Sequence, residues 1–140
     1  MAKKKKESKH VPLDPKEREH IEDCIKRIKE FQALWLDFYF RVRGSFLGEP
    51  VTAEQELKFL QVKSEVAMRH QYLYELLGQH YLGAQLLTDL LRKVVNLEKV
   101  SKTASENYYK IERFWHEYFV NLQESMVALQ FRLELEDQQA

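Results

Sequence analysis

Apolar side chains recur along this chain at steps of three and four residues, and that period limits what it can fold into more than any other feature. Ile21, Ile25, Ile28, Phe31, Trp35, Phe38 and Val42 fall on one stripe when residues are placed about 100° apart, close to a heptad. Ile111, Trp115, Tyr118, Leu122, Met126, Leu129 and Leu133 form a second such stripe, and Phe59, Val62, Val66, Leu73 and Leu77 a third. No segment alternates apolar and polar residues between turn signals, so strands are not expected. The period predicts an all-α fold.

Helix boundaries follow from the local chemistry. Asp14-Pro15-Lys16-Glu17 offers an N-cap oxygen, a proline where no N–H is needed and an acid in the first turn. Gly44, Gly48 and Pro50 interrupt the first stripe, and Thr52 with Gln55 has the spacing of a capping box. Gly78 and Gly83 bracket an irregular piece, a leucine-rich segment follows, and Thr103 with Glu106 is a second capping box. Helices are therefore expected over about 15–43, 53–77, 84–98 and 104–136. At about 1.5 Å per residue three of them are on the order of 40 Å long and the third is about half that. The expected architecture is an antiparallel helical bundle of three long helices plus one short helix, which either caps one end or leaves part of a groove open. Glu134, Glu136 and Asp137 put the wrong charge at the end of the last helix, whose last turns should fray or meet a basic partner.

The length of 140 residues suits one domain, taken as 14–140 behind a lysine-rich tail at 1–13. Formal charge is zero, from 22 basic and 22 acidic residues, but the tail holds Lys3, Lys4, Lys5, Lys6 and Lys9 against Glu7. It carries +4 and the remainder −4, which argues against a uniformly basic nucleic-acid-binding surface. A single cysteine, Cys24, excludes an internal disulfide framework or a multi-cysteine zinc site and fits a reducing compartment. With no apolar run of about 18 to 20 residues and no apolar signal core, no membrane span is expected and the location is read as cytoplasmic.

The functional signal lies in residues outside the main stripes. Leu36 and Phe40 project away from the core stripe of the first helix with Tyr39 between them, and Val120, Val127 and Phe131 do the same in the last helix. A helix apolar nearly all round needs cover on more than one side. These six residues are read as a partner interface, and the chain as a non-enzymatic interaction or scaffold subunit that self-associates or binds another protein. Arg69 and His70 interrupt the stripe of the second helix, and His80 falls near the same face. They are read as a polar core layer, hydrogen-bonded to Glu75 or a tyrosine, or else binding an anion or titrating near neutral pH, the basis of an alternative role as a ligand- or metal-binding bundle. Lys3, Lys4, Lys5 and Lys6 supply a weak contact to nucleic acid or an anionic surface, the basis of an alternative accessory role. Within the expected helices only Glu17 and His20 have the spacing of a di-iron carboxylate motif, and Glu112 and His116 lie off the main stripe, so neither metal nor cofactor is expected. No phosphate loop, nucleophile elbow or Cys-His pairing appears, and the chain is not read as an enzyme.

Overall fold

The computed structural model describes residues 12–139. Helices α1 (Pro15–Phe46), α2 (Ala53–Leu77), α3 (Ala84–Lys93), α4 (Leu97–Ser101) and α5 (Ser105–Gln139) follow in order, with a 3₁₀ turn at Gly78–His80. No strand occurs among the described residues.

The first two caps form as the sequence implies. Asp14 Oδ1 accepts from the Glu17 N–H at 2.8 Å, and Thr52 Oγ1 from the Gln55 N–H at 3.1 Å. Three boundaries differ. Gly44 does not stop α1, which runs on to Phe46. The missing side chain at Gly44 leaves room for the Glu49 carboxylate, which a Cβ would strike. The last turn is held by the Ser45 hydroxyl donating to the Leu97 carbonyl at 2.6 Å and by Phe46 stacked on Tyr108 with ring centroids 3.7 Å apart. The chain turns instead at Gly48, with φ of 100°. Thr103 does not cap α5; its hydroxyl donates back to the Lys99 carbonyl, and α5 begins at Ser105.

The third correction concerns the expected helix 84–98, which is two helices. Lys63 donates to the Val94 carbonyl at 2.7 Å and closes the C-terminus of α3. Asn96 then caps α4 by accepting from the Lys99 N–H at 2.8 Å. From α2, the Glu56 carboxylate accepts from the Leu97 and Glu98 N–H groups at 2.7 and 3.2 Å. A lysine at a helix C-terminus and a carboxylate at a helix N-terminus both complement the backbone dipoles. α4 packs across the end of α1, and α3 packs alongside α2 and α5.

Cross-helix pairs fix the directions. Phe38 meets Phe59 and Arg69 reaches Glu30, so α2 is antiparallel to α1. Trp35 meets Trp115 and Gln32 meets Gln123, so α5 is also antiparallel to α1. His70 meets Thr88 and Lys63 meets Val94, so α3 runs up against α2. The result is an up-down-up-down bundle in which α3 takes the fourth corner. Gly83 starts α3 at φ of 81°, where an added Cβ would lie 2.9 Å from the Asn121 Cβ. α3 therefore follows α5 only from the level of Asn121 to that of Phe114, over whose ring Lys93 sits. Among the described residues no helix fills the fourth corner beyond Ser125.

The core is aromatic where α1, α2 and α5 meet. Trp35 and Trp115 stack with centroids 4.1 Å apart, Phe38 lies 5.0 Å from Trp115 and 5.4 Å from Phe59, and Tyr118 packs edge-on to Trp35 at 4.8 Å. The Trp35 indole N–H is buried without an oxygen or nitrogen acceptor, among rings. α1 and α5 meet through matching segments: Leu34-Trp35 and Asp37-Phe38-Tyr39 correspond to Phe114-Trp115 and Glu117-Tyr118-Phe119, and burial follows the same order from residue 31 to 42 as from 111 to 122. The acidic end of α5 is met within the chain, Arg18 pairing with Asp137 at 2.9 Å.

Because the break at 94–96 is held by side chains, Asn96→Ala should cost about 1 kcal/mol in urea unfolding, whereas Asn96→Ser should retain most of that stability.

Candidate functional site

The expected polar layer forms around one of its three residues. His70, on α2, is more than half enclosed, with Nδ1 2.7 Å from the Tyr81 hydroxyl and Nε2 3.2 Å from Thr88 Oγ1. Tyr81 continues to Tyr118 at 2.5 Å, and Thr88 bonds to the Ala84 carbonyl at 3.2 Å. The proton positions follow by elimination. A carbonyl only accepts, so Thr88 gives its proton to Ala84 and its oxygen accepts from His70 Nε2–H. With the imidazole neutral, as burial favours, Nδ1 accepts from Tyr81, whose oxygen takes the proton of Tyr118. Every hydroxyl proton is committed within the chain, and the arrangement needs a neutral imidazole. Burial lowers the His70 pKa and raises those of Tyr81 and Tyr118, so all three are held neutral.

Arg69 and His80 do not join this layer. Arg69 points to the α1–α2 surface and pairs with Glu65 at 3.1 Å and Glu30 at 3.5 Å. His80 is exposed. The partners that complete the layer, Thr88, Tyr81 and Tyr118, come from α3, the turn before it and α5. Only a tyrosine among them was signalled in advance, because periodicity places residues on a helix and not across from one another.

Where α3 leaves the fourth corner empty, a cleft of about 630 Å³ opens between the ends of α1, α2 and α5. Ile21, Cys24, Leu76, Leu77, Leu82 and Leu129 are among its apolar lining, and Lys16, His20, His80 and Arg132 stand among the polar ones. The sequence signals no Cys-His pairing, yet Cys24 Sγ lies 3.6 Å from His20 Nε2, one helical turn away. Burial, followed by the nearby Asp23 charge, raises the thiol pKa, which leaves it a protonated, weak nucleophile. Among the described residues no group of three or more His, Cys, Asp or Glu side chains is placed to hold a metal ion.

The residues read as an interface lie on the outer face of the α1–α5 pair. Phe40 is 61% exposed, Phe131 57%, Val127 51%, Leu36 44% and Val120 42%. Tyr39 differs: its ring is half-buried against Trp115, its hydroxyl donates to Glu112 at 3.1 Å, and it accepts from Arg43 at 3.0 Å. Tyr108 donates to the same Glu112 oxygen at 2.9 Å, so Tyr39 and Glu112 close the α1–α5 seam. Two depressions lie along this face. One of about 470 Å³ runs between Leu36, Tyr39, Tyr109 and His116, and one of about 510 Å³ between Val120, Val127 and Phe131; Phe119 borders both. Sequence reasoning missed Leu47, which is 66% exposed one turn beyond Arg43.

Lys3, Lys4, Lys5 and Lys6 lie outside the described residues. No helix among the described residues is long and apolar enough to cross a membrane. No family model, curated protein or solved structure matches the chain.

The neutral His70 has a pH consequence with a definite sign. Its folded pKa lies below the ordinary value of about 6.5, so in the window beneath 6.5 the unfolded chain takes up a proton that the folded chain resists. The stability associated with neutral His70 is complete above that window and is lost as pH falls through it. Urea unfolding should therefore show stability dropping as pH falls below about 6.5 with a slope of at most about 1.4 kcal/mol per pH unit, a component absent from His70→Gln.

Proposed function

We propose that this chain is a non-enzymatic assembly subunit that associates with protein through the outer face of α1 and α5. The observation that carries the reading is the set Leu36, Phe40, Val120, Val127 and Phe131, all exposed on one face, where Leu36, Val120, Val127 and Phe131 border depressions whose lining is mostly apolar. Single exposed apolar residues are ordinary, whereas a connected set of large ones marks an interaction surface. Aromatic anchors among aliphatic neighbours also suit the centre of an interface, where a few residues dominate affinity.

In light scattering after size exclusion, the chain at micromolar concentration should run above its monomer mass of 16.8 kDa or, as a monomer, bind an apolar dye. Phe40→Asp and Val127→Asp should weaken association or dye binding by about 30-fold or more with helical circular dichroism retained, corresponding to hot spots of about 2 kcal/mol. A monomer that binds no dye overturns the reading.

A second reading, that the chain carries an apolar ligand, is favoured by the open cleft of about 630 Å³, whose size and mixed lining suit a small amphiphile. Calorimetry with dodecanoate should give saturable binding that is lost in Leu82→Asp and kept in Phe40→Asp. Absence of binding heat at several temperatures overturns it.

A further inference from the structure

We infer that the partner on the α1–α5 face is a second copy of this chain, docked about a two-fold axis so that Phe40 of each copy enters the depression between Val120, Val127 and Phe131 of the other. The inference rests on the reading of that face as an interface and goes further by fixing occupant and orientation.

Trp35 stands level with Trp115 and Gln32 with Gln123, so residue numbers on α5 fall as those on α1 rise. By that register Phe40 and Leu36 lie towards one end of the face, Val120 near its middle, and Val127 and Phe131 towards the other end. At about 1.5 Å per residue, Phe40 and Phe131 are about 27 Å apart along the bundle. The apolar strip thus crosses the α1–α5 seam obliquely, with its most exposed aromatic of α1 at one end and an apolar depression at the other.

A closed dimer uses the same patch on both subunits, so each feature must find its complement elsewhere on that patch. A two-fold axis lying in the interface, through the middle of the strip and perpendicular to it, exchanges the two ends. It places Phe40 over the partner's depression and brings Leu36 near the partner's Val120. The other in-plane axis, along the strip, would set Phe40 on Phe40 and leave the depression of about 510 Å³ unfilled. Among the residues lining that depression only Glu124 is charged, so an entering phenyl ring meets little that must lose water. Size agrees as well. A strip about 30 Å long and two helices wide, about 20 Å, offers about 600 Å² per copy, and the pair reaches the about 1,200 Å² of a specific interface.

The test is disulfide trapping in a Cys24→Ala background. A Phe40→Cys chain mixed with a Val127→Cys chain should cross-link rapidly to each other under mild oxidation, while the Phe40→Cys chain alone should not. Mass analysis under light scattering of the unmodified chain should give twice 16.8 kDa. A dimer that Phe40→Asp dissolves but that links Phe40→Cys to itself, or fails to link it to Val127→Cys, overturns this arrangement and leaves the reading of the face standing. A monomer that binds apolar dye overturns the second copy alone, and a dimer unaffected by Phe40→Asp overturns both. Because Phe40 is 61% exposed, its substitution leaves the bundle core intact, which circular dichroism of each variant checks.

Discussion

The contact between Trp35 and Trp115 sets the terms for the rest of the bundle. Stacking two indoles 4.1 Å apart at the crossing of α1 and α5 brings the largest side chains of both helices onto one layer. Phe31, Phe38, Phe59 and Tyr118 then have to close around them. Rings of this size leave few alternative packings, so register between the two helices is fixed to within a residue. Matching segments on both sides of the stack extend this order along the seam, where Tyr39, Glu112, Tyr108 and Arg43 hydrogen-bond at one end and Gln32 meets Gln123 at 2.6 Å at the other. Removing either indole would take away several rings' worth of contact at once and cost about 3–5 kcal/mol.

From that layer the shortness of α3 has two consequences. Over the ten residues it spans, α3 completes a four-cornered core and supplies Thr88 to the His70 layer. Past Gly83 it supplies nothing, and the ends of α1, α2 and α5 line an open cleft. Polar and open regions therefore lie next to one another, with Tyr81 and Leu82 at the boundary: Tyr81 turns inward to the histidine, while the Leu82 N–H is tied to Ser125 Oγ at 3.0 Å.

Much of the fold was legible because helical periodicity is a local property. The stripes through Trp35 and Trp115, the caps at Asp14 and Thr52, and the exposure of Leu36, Phe40, Val120, Val127 and Phe131 all follow from spacing within a single helix. What escaped depends on residues distant in sequence. The kink after Lys93 needs Lys63 and Glu56 from α2, although Asn96 followed by Leu97 and Glu98 was a visible cap signal. Gly44 reads as a breaker until Glu49 is seen folded against it. Arg69 and His70 are neighbours in sequence, yet a 100° step sends one to a surface ion pair and the other to the interior.

The same 100° step separates the outer face, on which the proposed function rests, from the core. In the run Phe38-Tyr39-Phe40, Phe38 is fully buried, Tyr39 spans the seam and Phe40 stands in solvent. The matching run Tyr118-Phe119-Val120 on α5 is divided in the same way. Packing around the indoles demands the first two residues of each run. It demands nothing of the third, where glutamate or lysine would serve the helix as well and the solubility of a lone bundle better. Apolar residues at Leu36, Phe40, Val120, Val127 and Phe131 thus answer to no requirement of the monomer fold. The proposed binding surface would give them one, and their oblique arrangement across the seam is what the proposed two-fold docking of a second copy would use.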